Sequence, residues 1–177
     1  YYFNGYIDDV RITNGYCRYW SNFVPPTAAF PNYGGTLQLT YDPQFNYNTL
    51  LLSGEGTNGA QNNTFLDSST NAFTITRNGN TTQGTFSPYG SLWSNYFGAS
   101  NCLSGSGNIS GSGSFTYEAW IYLTAYPASG QGCGIISSDG TSSGWILRIQ
   151  PSGAAIFSEA GFSNYFLSTD IIQLNTW

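Results

Sequence analysis

Apolar residues recur at every second position in several short runs of this chain, and almost nowhere at the three-and-four spacing of a helix. The plainest run is residues 114–123. There Phe115, Tyr117, Ala119, Ile121 and Leu123 share one phase, and Thr116, Glu118, Trp120 and Tyr122 share the other. In an extended chain the two phases are opposite faces. The first set is predicted to face a core; the second, rich in large rings, is predicted to be covered or functional. Residues 72–77 alternate in the same way and stop at Asn78-Gly79, a strong turn pair. Trp145, Leu147 and Ile149 alternate against Ile146, Arg148 and Gln150, and Pro151-Ser152-Gly153 predicts a hairpin into residues 154–158. Weaker strands are predicted at 50–53, 95–97, 134–137, 165–168 and 171–177. Turn clusters separate such runs by about 8–12 residues, the mark of an antiparallel sandwich or barrel.

The opening run, residues 2–12, breaks its own alternation. Asp8 falls in phase with Val10 and Ile12, while Ile7 falls opposite. One extra residue in the strand would restore the register, so a β-bulge is predicted there. After it, residues 17–23 read as a turn or a single helical turn. Residues 24–44 hold Pro25, Pro26, Pro31, Gly34, Gly35 and Pro43 and read as a linker, with a short edge strand at 37–41. Residues 104–114, nearly all Gly and Ser, read as a flexible loop.

Composition narrows the classes of work. Only 7% of the 177 residues are charged, the net charge is −5, and there is no Lys or His beside four Arg. Nucleic-acid binding rests on cations that release phosphate counterions, so nucleic acid is a poor partner, and so is an anionic membrane surface. No run approaches the roughly 18 apolar residues that would span a bilayer. Without His there is no Ser-His-Asp or Cys-His arrangement within this sequence. Cys17, Cys102 and Cys133 lack paired spacing, which argues against a zinc site or a disulfide framework and for free thiols. Gly54-Glu55-Gly56-Thr57-Asn58-Gly59 lacks the Lys and helix of a phosphate loop. The sequons at Asn62, Asn80 and Asn108 are expected by chance in a chain this rich in Asn, Ser and Thr.

Three motifs carry a resemblance. Gly5-Tyr6-Ile7-Asp8-Asp9-Val10-Arg11-Ile12 matches the G-x-I-D-[DE]-V-R-I strand that commonly closes members of the laminin-G-like, concanavalin-A-like jelly-roll family. Residues 115–121 resemble that family's F-T-x-E-A-W-[IV] strand from the first half of the module, and Asp67-Ser68-Ser69-Thr70-Asn71 resembles its D-S-S-x-N turn. Residues 46–59 look like the opening strand. The closing motif precedes the opening ones. That order implies the end of one module (residues 1–23), a linker (24–44) and the first part of a second module (45–177), as in a tandem array. Family members pair their first and last strands, so residues 2–12 are expected beside 49–53, within the chain or donated by a neighbour. Asn62-Asn63-Thr64-Phe65-Leu66-Asp67-Ser68-Ser69 is similar to modules of tailed-phage structural proteins.

The resemblance implies an all-β antiparallel β-sandwich of jelly-roll type. It also implies a structural calcium at the rim, since relatives often hold one. Asp67, Asn71 and Asp8 are the candidate ligands, calcium preferring carboxylate and amide oxygens; the competing reading of Asp67 is an Asx turn bonded to its own backbone. Aromatic residues make up 18% of the chain. Sugar rings stack on such side chains, and Tyr122, Tyr126 and Trp145 are the candidate glycan platform, against core packing as the alternative. Glucan hydrolases of the same superfamily need two carboxylates about 5–5.5 Å apart for retention. Of Glu55, Glu118 and Glu159, none has a second acid two positions away. The expectation is a non-enzymatic virion or extracellular fibre module that meets host glycans and other subunits, as a homo-oligomer. The alternatives are a purely structural decoration or shaft module, and a glycan hydrolase whose catalytic residues lie outside this segment.

Overall fold

The computed structural model describes residues 3–32, 42–54, 64–90, 92–98, 100–107, 109, 113–130, 132–138, 144–159 and 165–177. The predicted edge strand at 37–41, residues 55–59 of the glycine-rich run, and the sequons at Asn62 and Asn108 lie outside the described residues. So does the middle of the 104–114 loop.

The fold is all-β and antiparallel, and among the described residues the only helical piece is a 3-10 turn at Phe45–Tyr47. The strands are β1 (Gly5–Asn14), β2 (Asn48–Leu52), β3 (Ile75–Asn78), β4 (Thr82–Gly84), β5 (Ser94–Phe97), β6 (Cys102–Gly105), β7 (Phe115–Leu123), β8 (Cys133–Ser137), β9 (Trp145–Ile149), β10 (Ala154–Glu159) and β11 (Tyr165–Ile171). Residues 17–23 form bends rather than a helical turn, and of 171–177 only Ile171 is in a strand.

β1 organises the first sheet. One of its edges pairs with β7 along nearly its whole length, from Gly5↔Leu123 to Asn14↔Phe115. The other edge is shared: Val10 to Thr13 pair with β2, and Gly5 to Ile7 pair with β5, which carries β4 outside it. The changeover coincides with the bulge. The β1–β7 register shifts between Asp8 and Arg11, and Asp9 takes a positive φ of 45°. Asp tolerates that left-handed conformation better than most residues. The bulge corrects the phase, so Ile7 and Val10 enter the same core despite their odd spacing.

A second sheet runs β11-β10-β9-β8, and β3 pairs with β6 as a two-stranded sheet. The β9–β10 hairpin turns through Pro151-Ser152-Gly153, where Gly153 has φ 85° and donates to the Gln150 carbonyl at 2.9 Å. The Asn78-Gly79 turn does not fold β3 back onto β4; β3 pairs with β6 instead, from Ile75↔Gly105 to Asn78↔Cys102. The first and second sheets share a core. Ile7, Val10, Phe97 and Leu123 from one pack with Cys133 and Ile149 from the other. Beside it Ile12 and Leu50 pack with Trp145, and Tyr117 and Phe157 close over them. Alternate residues of β7 supply this interior, as the pattern predicted.

The opposite face of the first sheet is covered too. Phe30, Phe45 and Leu51 form a small apolar cluster there, so residues near 30 and 45 are docked on the sheet.

Candidate functional site

At the fork where β2 and β5 part from β1, the sheet leaves a cavity of about 190 Å³. Asn95 on β5 lies opposite Ile7 of β1, and Gln83 on β4 lies opposite Asn95. Directly opposed residues of an antiparallel pair share a face, so both amide side chains stand side by side, on the face that carries Ile7. Gln83 is 5% exposed and Asn95 2%. Their oxygens, Gln83 Oε1 and Asn95 Oδ1, have no hydrogen-bond partner among the described residues. Both oxygens are closed off even from water, so each carries the roughly 1–3 kcal/mol cost of an unmet buried acceptor.

The rest of the wall comes from different parts of the chain. Ser53 and Gly54 end β2, Phe65, Leu66 and Ser68 come from the stretch before β3, and Asn32 ends the docked segment. Phe65 is buried, whereas Leu66 stands 69% exposed at the mouth. Gly54 has φ 72°, and a Cβ there would lie 3.1 Å from Asp8 Oδ1 and 3.2 Å from Asn95 Nδ2. Asn95 Nδ2 and Asp8 Oδ1 thus both approach Gly54 closely. Asp8 itself accepts from the Asp9 amide at 2.9 Å and from Ser87 Oγ at 2.8 Å.

A buried ionic cluster fastens the docked segment to the covered face of the sheet. Arg11 Nε donates to Glu118 Oε2 at 2.8 Å, directly across the β1–β7 pair. Arg18 grips Asp42 with two bonds, at 3.1 and 2.8 Å, and reaches Asn48 Oδ1 at 2.7 Å. Burial alone would raise the Asp42 carboxyl. The Arg18 hydrogen bonds and charge, the Gln44 amide and the Arg11 charge outweigh it and hold the group below the usual carboxylate range. Tyr19 donates its hydroxyl to Glu118. Burial, that bond and the Glu118 charge push the phenol up to about 12. Such a clasp has the closed, self-satisfied character of a structural element rather than of a reacting centre.

The candidate residues from the sequence fall in separate places. Trp145 is 7% exposed and its ring stacks on Tyr117 at 4.2 Å between centroids, with Phe157 at 5.8 Å. Tyr126 packs against the main core and donates to the Ile172 carbonyl at 2.7 Å. Tyr122 lies across the first sheet from the core, in a cluster with Tyr6, Phe86 and Trp177 at 4.7–6.0 Å between centroids. The three rings therefore form no common platform. Asp67 spends both oxygens on its own turn. Oδ1 accepts the Leu51 and Ser69 amides, and Oδ2 accepts Ser69 Oγ and the Phe73 amide, all at 2.9 Å. That is the Asx-turn arrangement, extended to tie β2 to the stretch before β3. Asn71 donates to the Thr49 carbonyl at 3.0 Å, and Asp8 is on β1. No group of three or more His, Cys, Asp or Glu able to hold a metal occurs among the described residues.

Gln83, Asn95 and Gly54 were not singled out by sequence. One signal existed: Asn95 shares its phase with the core residue Phe97, so a polar side chain points inward beside it. Gln83 sits in a three-residue strand with no readable period. Comparison with protein-family models, with curated proteins and with solved structures finds no match.

Proposed function

We propose that this chain is a non-enzymatic recognition module, a jelly-roll sandwich of the lectin type in a virion or extracellular fibre, which binds host-surface glycans. The observation that carries this reading is the fork cavity, whose wall joins Asn32, Ser53, Ser68, Gln83 and Asn95 to Leu52, Phe65 and Leu66. Small-molecule sites are concave and combine apolar surface with placed polar groups, and this cavity is lined by both, the polar residues outnumbering the apolar ones. The scarcity of charge, the abundance of Asn, Ser and Thr, and the family resemblance of residues 5–12, 67–71 and 115–121 support the same class of work. A glycan array probed with the purified chain tests it. Binding to a defined set of glycans is expected; no binding to any would end the reading.

A second reading has its own support. Phe166, Leu167 and Ile171 are 77%, 52% and 44% exposed on β11, an edge strand of the second sheet. An exposed apolar edge invites pairing with another chain, which suits a structural subunit of a fibre. Sedimentation across a concentration series separates the two: assembly abolished by Phe166→Lys, together with a blank array, would favour the structural role.

A further inference from the structure

Resting on the glycan-binding reading, we propose that the outer face of the second sheet takes an acidic sugar, whose carboxylate or sulfate is held by Arg148. The residues that make this site form one row across all four strands.

β9 turns Trp145 and Ile149 into the core, so Arg148, in the other phase, stands on the face away from it. Directly opposed residues share a face. Gly134 on β8 and Ile156 on β10 both lie opposite Arg148, and Leu167 on β11 lies opposite Ile156. Ile156 is buried, whereas Leu167 is 52% exposed. The row therefore runs from a bare glycine, through a cation, to an open apolar surface.

Arg148 is the one arginine without a partner among the described residues. Arg11 is paired with Glu118, Arg18 with Asp42, and Arg77 Nε donates to the Thr81 carbonyl at 2.7 Å. No hydrogen bond or ion pair engages Arg148. Of its three nitrogens only Nε is both closed off and unmet, so Nη1 and Nη2 are the ones that solvent reaches. A guanidinium presents those two groups side by side in one plane, the geometry that matches two oxygens of a carboxylate or sulfate. The stem runs against bare backbone, since a Cβ on Gly132 would lie 3.1 Å from Arg148 Cδ. A side chain already confined in this way loses less freedom when it takes a ligand.

The apolar end of the row sets the rest of the ligand. Adjacent strands lie roughly 4.8 Å apart, so Leu167 is about 10 Å from Arg148 along the row. One sugar residue with a charged substituent spans that distance, its C–H surface on Leu167 and its anion on Nη1 and Nη2. A single free cation is far fewer than binding along a phosphate backbone uses.

The test titrates the native chain, Arg148→Gln and Arg148→Lys with galacturonic acid, galactose 6-sulfate and galactose. Binding is followed on the arginine Nε–H resonances by NMR, where four arginines give four signals. At least one of the two acids is expected to shift the Arg148 signal and to bind the native chain on the order of tenfold more tightly than galactose, the scale of a hydrogen bond to a charged group; the tighter of them identifies the anion. Arg148→Gln should lose that advantage without melting lower, because it removes a cation that has no partner. Should Arg148→Gln fail to fold, Arg148→Lys carries the test: it keeps the charge without the planar fork and should bind the acid more weakly than the native chain. Acids bound no better than galactose, or acid binding unchanged in both variants, would overturn this inference and leave a glycan-binding module standing wherever the array is positive. Loss of self-association in Arg148→Gln with acid binding intact would overturn it too, making the row a subunit contact. A blank array together with an unmoved Arg148 signal would remove the functional reading as well.

Discussion

Asp9 Oδ2 accepts the backbone amide of Phe30 at 2.7 Å. The bulge in β1 and the proline-flanked segment after it are thereby joined, and the Arg11 guanidinium lies 3.7 Å from the centroid of the Phe30 ring to complete the contact. A cation over an aromatic face gains from the ring quadrupole, most when both are out of water. Asp9→Asn keeps a side chain that accepts the Phe30 amide, while Asp9→Ala removes the acceptor and leaves a buried N–H unmet. Asp9→Ala is expected to cost about 1–3 kcal/mol in urea denaturation, and Asp9→Asn less. Equal stability of Asp9→Ala and the native chain would show that the segment is not held this way.

Arg18 and Asp42 form a two-bonded, buried part of the ionic clasp, with side chains 8% and 4% exposed. Removing one member of a buried pair strands the other, at a typical cost of about 3–5 kcal/mol. Arg18→Leu should destabilise the chain on that scale, and Arg18→Leu combined with Asp42→Leu should recover a good part of the loss. Additive losses in the double variant would mean that the pair is not coupled.

The clasp also fixes how stability depends on pH. Tyr19 holds its proton up to about 12 in the folded chain, against an ordinary phenol value near 10. A group that binds its proton more tightly when folded stabilises below the unfolded value and loses that contribution as pH rises through the folded one. Stability should therefore fall between about pH 10 and 12, and Tyr19→Phe should flatten that fall. Asp42 has the opposite sense. Its folded value is depressed, so its contribution is present above about pH 4 and is lost on further acidification. Denaturant midpoints across both windows, for the native chain, Tyr19→Phe and Asp42→Asn, check the two signs.

Trp145 packs against both Tyr117 and Phe157 in the second core cluster. Trp145→Ala is expected to cost about 3–5 kcal/mol, the usual range for truncating a buried aromatic ring. Its indole Nε1 has no hydrogen-bond partner among the described residues, so Trp145→Phe gives up ring volume without breaking a bond and should cost much less. A glycan platform at this residue would give the reverse pattern, with stability little changed and binding lost. Thermal melts and glycan titrations of the two variants decide it.

Much of the strand content was legible because alternation is local. β7 reads from Phe115 to Leu123 with its inward set in the right phase, and the β9–β10 hairpin follows from a proline and a glycine in three residues. The bulge at Asp8 was legible too, since Ile7 and Val10 cannot both face a core across two intervening residues of regular strand. Short β4 and β6 were not legible: three or four residues hold too little of a period, and their partners lie up to about thirty positions away in sequence.

The candidate site was legible least. Asn95 betrays itself only by its phase with Phe97, and Gln83 acquires meaning only from the strand that lies beside it. By itself the sequence determined which residues are extended, which face of β7 and β9 is apolar, and that β1 must bulge, because side-chain alternation and steric phase act between neighbours. Only the tertiary structure decided that β1 divides one edge between β2 and β5, that Arg18 finds Asp42, and that two amide oxygens stand unmet in the fork, because those relations are set by strand pairing across distances no local pattern encodes.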